Sequence, residues 1–186
     1  RLGIEMIVVP MTESGPDMDV IESLVAEDES IKGIWCVPKY SNPQGICYSD
    51  ETVKRLAAMK TAAKDFRIFW DNAYGVHPIF EDVKVLNILD EAKAAGNPNR
   101  PLYFASTSKI TFPGAGVSFV AASEEMVAEI KGVTTYQTIG YDKLNQLRHV
   151  RFFKDAEGLK AHMQKLADAM KPKFQIVLST LEKELE

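Results

Sequence analysis

Lys109 stands where a lysine is an unusual choice. It follows Ser106-Thr107-Ser108 and precedes Ile110-Thr111-Phe112, and the apolar run Leu102 to Ala105 just before it reads as a short buried strand. An amine carried at the mouth of a strand between apolar neighbours is expected to be kept from water, which disfavours its charged form and leaves more of the free amine. The free amine attacks carbonyl carbons and forms a Schiff base. Two other stretches share this layout. Trp70 closes Ile68-Phe69-Trp70 and runs directly into Asp71, with Tyr74 shortly after, and Val37 closes Ile34-Trp35-Cys36-Val37 ahead of Ser41-Asn42-Pro43-Gln44-Gly45. An amide, a carboxylate with a phenol, and an amine with the hydroxyls of Ser106 and Ser108 thus each follow an apolar run. One such coincidence is ordinary; three in succession are not.

The intervening sequence has the elements needed to place these groups along one edge. Glu5 to Val9 alternates weakly and reads as a strand, and Ser14-Gly15-Pro16 is turn chemistry. Asp17 to Ala26 reads as a helix with Val20, Ile21, Leu24 and Val25 on one face and acids in its first turn, where the helix dipole favours them. Ile31 to Val37 reads as a strand buried on both faces. Ser49 is a good N-cap for a helix to Ala63 with Val53, Leu56, Ala57 and Met59 on its apolar face. A further helix is expected from Asp82 to Ala95, stopped by Gly96. Val117 to Ala121 reads as a strand, and Ser123 caps a helix from Glu124 to Lys131. Trp35, Trp70 and Phe104 are assigned to the core, and Lys32, Lys39 and Lys54 to the surface. From Asp155 a helical stripe of Leu159, Met163, Leu166 and Met170, then Phe174, Val177, Leu178, Leu181 and Leu185, is expected to kink or restart at Pro172. Alternating strands and helices with long crossovers argue an α/β fold, a three-layer α-β-α arrangement around a mostly parallel sheet.

In such sheets ligands bind beyond the carboxyl ends of the strands, because each strand delivers its loop to that edge. The groups gathered there suit pyridoxal phosphate. That cofactor is an electron sink only while its ring nitrogen keeps a proton, and an adjacent buried carboxylate holds the proton in place; Asp71 is the candidate. Asn42 and Tyr74 can donate to the ring hydroxyl oxygen. Lys109 would hold the aldehyde and then, as a free amine, move the proton between the substrate's α-carbon and the cofactor. Ser106 and Ser108 could donate hydroxyl bonds to the phosphate.

Ser-Asn-Pro-Gln-Gly at 41 to 45, Asp-Asn-Ala-Tyr at 71 to 74 and Ser-Thr-Ser-Lys at 106 to 109 resemble the motifs of fold-type I pyridoxal-phosphate aminotransferases of class I/II. The resemblance is nearest to a bacterial subgroup of aspartate aminotransferase-like enzymes and covers nearly the whole chain. The interval between aspartate and lysine, 109 − 71 = 38, is similar to that family's. It implies Lys109 as the Schiff-base lysine, Asp71 as the ring-nitrogen partner, Asn42 and Tyr74 at the ring hydroxyl, Ser106 at the phosphate and a cis peptide before Pro43. It also implies amino-group transfer between an amino acid, such as aspartate or another dicarboxylic or aromatic one, and a 2-oxo acid, in a homodimer. In similar enzymes the neighbourhood of Arg148 and Arg151 reaches the partner's site, so Arg148 is a candidate for a substrate's side-chain carboxylate.

The sequence departs from the family pattern at Val117, where many relatives carry a phosphate-gripping arginine eight positions after the lysine. The resemblance further implies that the phosphate-cradling glycine-rich turn and the stacking aromatic precede Arg1, and that the arginine for the substrate's α-carboxylate follows Glu186. The chain is therefore expected to be a fragment: residues 1–153 the C-terminal part of the cofactor-binding large domain, residues 154–186 an interdomain helix and the start of a small domain. Isolated, it is expected to be inactive. The alternative reading of the same motifs is the effector-sensing domain of a MocR-type transcription regulator, and decarboxylation or β-elimination would use the same cofactor groups.

Composition narrows the rest. The 186 residues carry 22 basic and 26 acidic side chains, a net charge of −4 without a basic block, so no nucleic-acid or anionic-membrane partner is expected. No stretch approaches the roughly 18 apolar residues of a membrane span. Cys36 and Cys47 give neither a disulfide framework nor a zinc spacing, and His77, His149 and His162 form no metal-ligand motif; each histidine is assigned a structural role and the protein a reducing cytoplasm.

Overall fold

The computed structural model describes residues 3–185 and resolves the chain into two compact units, Arg1–Ala73 with Val85–Ala105 and Phe119–Gln137, and Tyr74–Lys84 with Ser106–Ser118 and Thr138–Glu186. The first unit opens with a hairpin of β1 (Met11–Thr12) and β2 (Gly15–Pro16), followed by α1 (Met18–Glu27). The Asp17 carboxylate accepts the N–H groups of Asp19 and Val20 at 3.1 and 3.3 Å, a cap that starts α1 where the acid-rich turn predicted it. Met18, Ile21 and Val25, spaced at helical intervals, are its buried face.

β3 (Gly33–Cys36), α2 (Asp50–Ala58), β4 (Arg67–Asp71), α3 (Ile88–Ala94), β5 (Pro101–Ser106), β6 (Ser118–Ala121) and α4 (Glu124–Gln137) follow. The strands form one sheet in the order β3-β4-β5-β6, with β3, β4 and β5 parallel and Cys36 opposite Trp70, Trp70 opposite Tyr103 and Asp71 opposite Phe104. Because successive strand residues face opposite sides, Cys36, Ile68 and Trp70 turn to one face. They pack there with Met18, Ile21 and Val25 of α1, Val53, Leu56 and Ala57 of α2, and Ile88 and Ala92 of α3. Burial of each large aliphatic or aromatic side chain stabilises the unit by about 1.5–3 kcal/mol. Arg55 of α2 ties the layer to α1 through Glu22, at 3.0 and 2.9 Å.

The second unit contains the two remaining helices, α5 (Lys143–Phe153) and α6 (Ala156–Glu184), each started by an aspartate cap: Asp142 accepts the N–H of Asn145 and Asp155 that of Gly158. Phe152 and Phe153 set their ring edges against His162, with centroids 5.2 and 5.7 Å away.

The α/β class stands as expected, and several local expectations are corrected. Glu5 to Val9 forms no strand; Met6 and Val8 lie exposed, and among the described residues no strand pairs with them. α2 stops at Ala58, not Ala63, because Asn97 and Arg100 donate to the carbonyls of Ala57 and Met59 and so take over the groups that a longer helix would satisfy. α3 starts at Ile88, not Asp82, since Asn87 caps it by accepting the Leu89 N–H at 3.1 Å. α4 runs on to Gln137 from the predicted Ser123 cap. Pro172 lies inside α6, which continues through it as one 29-residue helix. Trp35 is not core: it is 59% exposed, because α1, α2 and α3 cover only the other face of its sheet. On its own face it stacks with Phe69 and Phe104 at centroid distances of 5.7 and 6.5 Å. Lys39, expected at the surface, is buried, with its ammonium 5.2 Å from the centre of the Tyr40 ring.

Candidate active site

Two of the predicted groups, Asn42 and Asp71, belong to the first unit. Asp71 is the last residue of β4 and is half-buried. Strand alternation places it on the Phe69 face of the sheet, away from Ile68 and Trp70. The next residue, Asn72, closes the strand end: its N–H donates to Phe104 O at 2.9 Å and its side-chain amide to Tyr103 Oη at 2.6 Å. Burial pushes the Tyr103 phenol above its ordinary value, so it stays neutral and available to accept that bond. The carboxylate beside this closure is thereby held by a backbone paired on the β5 side.

Asn42 sits in a loop closed by its neighbour. Buried Ser41 donates its N–H to Ile46 O at 2.9 Å and accepts the Ile46 N–H on its hydroxyl at 3.1 Å, which forces 42 to 45 outward as a small loop. Gly45 turns the loop with a φ of 73°, a conformation open to glycine, and the Asn42–Pro43 peptide is cis, as the family resemblance implied. Asn42 itself is exposed.

Tyr74, Ser106, Ser108, Lys109 and Arg148 belong to the second unit. Lys109 and Tyr74 are brought together, the lysine Nζ lying 5.2 Å from the centre of the phenol ring. Lys109 is exposed; Ile110 turns inward while Phe112 is 75% exposed, so the apolar shield expected on both sides of the amine is present on one side only. Ser106 and Ser108 are also brought together: Ser106 Oγ accepts the Ser108 N–H at 3.3 Å. Gly116 lies against this pair, where a Cβ would come within 2.6 Å of Ser108 Oγ and 3.1 Å of its backbone nitrogen. Gly116 is therefore required by close backbone approach, whereas Gly114, with open space around it, serves the turn through its φ of 81°. Arg148 is exposed on α5 and is not brought to the other predicted residues of its unit by any hydrogen bond or ion pair among the described residues.

The reactive ends remain unspent. Among the described residues the Lys109 amine makes no ion pair, and neither the Asp71 carboxylate nor the Asn42 amide is taken up by a hydrogen bond. Within the second unit the Lys109 amine, the Tyr74 phenol beside it and the adjacent hydroxyls of Ser106 and Ser108 are groups that can hold a carbonyl compound carrying an anionic group, and within the first unit the Asp71 carboxylate is one that can accept from a protonated ring nitrogen.

Sequence reasoning missed the groups that hold the lysine loop. Asn145, buried on α5, donates to Ala115 O at 2.7 Å and Gly116 O at 3.2 Å, and Thr107 exchanges bonds with Val117, N–H to O at 2.9 Å and Val117 N–H to Oγ1 at 2.8 Å. His77 packs its ring edge on Tyr74, at 5.9 Å between centroids, and places Nε2 3.1 Å from Lys109 O. The available signal was Asn145 with His149 at a helical i, i+4 interval behind an aspartate cap.

Comparison with known proteins places the chain in a family. Residues 1–186 match the family described as aspartate amino-transferase, and the chain belongs to it. A protein of Mycolicibacterium smegmatis named as an aminotransferase is 56% identical over 184 residues, covering 98% of this chain and 43% of that protein. The crystal structure of an aspartate transaminase from Corynebacterium glutamicum superposes with a TM-score of 0.93 at 50% identity, over 97% of this chain and 43% of the other. An α-aminoadipate aminotransferase from Thermus thermophilus, solved with N-(5'-phosphopyridoxyl)-L-leucine, gives a TM-score of 0.78 at 25% identity, over 97% of this chain and 45% of the other. The chain thus spans less than half the length of these relatives. Among the described residues, no helix is long and apolar enough to cross a membrane.

Proposed function

We propose that the protein carrying this chain is a pyridoxal-phosphate-dependent aminotransferase that moves an amino group between an amino acid, aspartate or another dicarboxylic or aromatic one, and a 2-oxo acid. The observation that carries the reading is the Lys109 amine at the end of β5, unpaired and lying over Tyr74, in a chain that belongs to the aspartate aminotransferase family. Pyridoxal phosphate, when bound, supplies an electron sink for the bond broken at the substrate's α-carbon. Lys109 would hold the cofactor's aldehyde carbon and, as a free amine, would carry the proton to and from that α-carbon. Asp71 keeps a proton on the ring nitrogen. Asn42 and Tyr74 donate to the ring oxygen, and Ser106 and Ser108 to the phosphate, where Val117 provides no charge. Arg148 of one subunit faces a dicarboxylic substrate bound by the other.

The same reading makes residues 1–153 the later part of a cofactor-binding domain and residues 154–186 the start of a small domain, in a cytoplasmic homodimer. A regulatory domain that only senses the cofactor has less support, since relatives at 50% and 56% identity are named for transamination. The test is to add pyridoxal phosphate to the full-length protein, reduce with borohydride and map the modified peptide by mass spectrometry. One modified lysine, at position 109, is expected, and it disappears in Lys109→Ala. Label spread over surface lysines, or none, refutes the proposal.

A further inference from the structure

Resting on the reading of Lys109 as the reacting amine, we infer that the chain's three histidines are positioning residues for it: together they hold the one helical turn on which it sits. Residues 107 to 111 form that turn, with the N–H groups of Ile110 and Thr111 donating to Thr107 O at 2.9 and 2.8 Å. A lone turn is a poor structure by itself, since it fixes several backbone angles for one or two hydrogen bonds and leaves its last carbonyls without partners. The three histidines supply what is missing. His77 Nε2 lies 3.1 Å from Lys109 O and His162 Nε2 lies 2.8 Å from Ile110 O. Carbonyl oxygens only accept, so both rings carry their proton on Nε2 and donate to the two open carbonyls.

His149 holds the opposite side of the turn. Its Nδ1 is 2.9 Å from Asn145 O, which places the ring proton on that nitrogen and leaves Nε2 to accept. Nε2 lies 2.9 Å from Thr107 Oγ1 and 3.0 Å from Thr111 Oγ1, the first and last side chains of the turn. Thr107 Oγ1 already receives the Val117 N–H, so its own hydrogen is free to donate to the ring. The histidines come from three separate segments of the unit: the stretch after Tyr74, α5 and α6. His77 also touches Tyr74, the ring beside the lysine amine, so one imidazole sets both groups. None of the three touches the amine. They fix the backbone from which it projects, and a reacting group displaced by about an ångström loses much of its rate.

The experiment compares His149→Phe, His162→Phe and His162→Gln with the unsubstituted protein. Phenylalanine keeps the ring and removes the hydrogen bond, while glutamine keeps an N–H donor. Amide hydrogen exchange in residues 107–117, measured without cofactor, is expected to speed up by about fivefold for each bond lost in the phenylalanine variants. Exchange in α2 and β4 should hold steady and His162→Gln should recover most of the protection. In the loaded enzyme the phenylalanine variants are expected to lower kcat with KM nearly unchanged, because substrate binding groups are untouched. Unchanged exchange in 107–117, or identical behaviour of His162→Phe and His162→Gln, overturns the inference. If the unsubstituted protein is not modified at Lys109 by cofactor and borohydride, the function proposed above fails, and the exchange data still decide whether the histidines hold the turn.

Discussion

Cys36 and Tyr48 should make the first unit sensitive to alkali. Cys36 is fully buried under α1 and α2, and burial pushes its thiol from the ordinary 9.0 up to about 12, an effect only partly offset by its hydrogen bond with Tyr48. Tyr48, packed edge-on against Trp70 with centroids 5.8 Å apart, is pushed up as well, first by burial and then by the nearby Cys36 sulfur. Both groups hold their protons more tightly folded than unfolded. Their contribution to stability is thus complete below the unfolded values and is lost as pH rises toward the folded ones. For Cys36 alone the interval from 9.0 to about 12 corresponds to about 4 kcal/mol in full, and to about 2 kcal/mol by about pH 10.5, at about 1.4 kcal/mol per tenfold change. Urea unfolding under reducing conditions at about pH 8 and about pH 10.5, for the unsubstituted chain and Cys36→Ala, measures it. The unsubstituted chain should lose about 2 kcal/mol more than the variant over that interval. Equal losses in the two proteins would show that the thiol binds its proton equally in the folded and unfolded states, and would refute the reasoning.

Two further expectations concern the core and the substrate. Leu56→Ala empties a fully buried position on the inner face of α2 and should cost about 2–5 kcal/mol, read as a lower urea midpoint at unchanged slope; a loss under about 1 kcal/mol would mean that α2 relaxes to fill the space. Arg148→Ala in the active enzyme should reduce kcat/KM for aspartate and glutamate by more than about tenfold relative to uncharged amino acids, the scale of a lost bidentate pair. A loss that is equal for all substrates removes Arg148 from substrate recognition.

Much of the architecture was legible because its signals are local. Trp70 followed by Asp71 announces a strand end whether or not its neighbours are known, and Ser49 and Ser123 cap the helices they were expected to cap, while Asp17, expected as the first helical residue of α1, is its cap instead. Gly96, with a φ of 78°, follows α3 as its composition required. What the sequence concealed depends on partners far along the chain. The run Ile34 to Val37 is equally apolar on both faces, and only the position of α1, α2 and α3 decides that Cys36 is buried and Trp35 exposed. The end of α2 is set by Arg100, 41 residues beyond the carbonyl it takes. Lys109 and Tyr74 were each expected just after a buried strand on one edge of the sheet, whereas His77 and His162 belong to no motif and gave no signal in the order of residues; His149 alone carried one, its i, i+4 interval from Asn145.

The stacked rings of Trp35, Phe69 and Phe104 have an optical consequence. The chain has two tryptophans, and they occupy opposite surroundings: Trp70 is 2% exposed and Trp35 59%. Emission from Trp35 is open to an aqueous quencher such as iodide, while that from Trp70 is shielded until the unit unfolds. Any protein surface laid over the aromatic face shields Trp35 from the quencher without disturbing Trp70. Assembly and denaturation of this protein can therefore be followed separately, by fluorescence, with no label added.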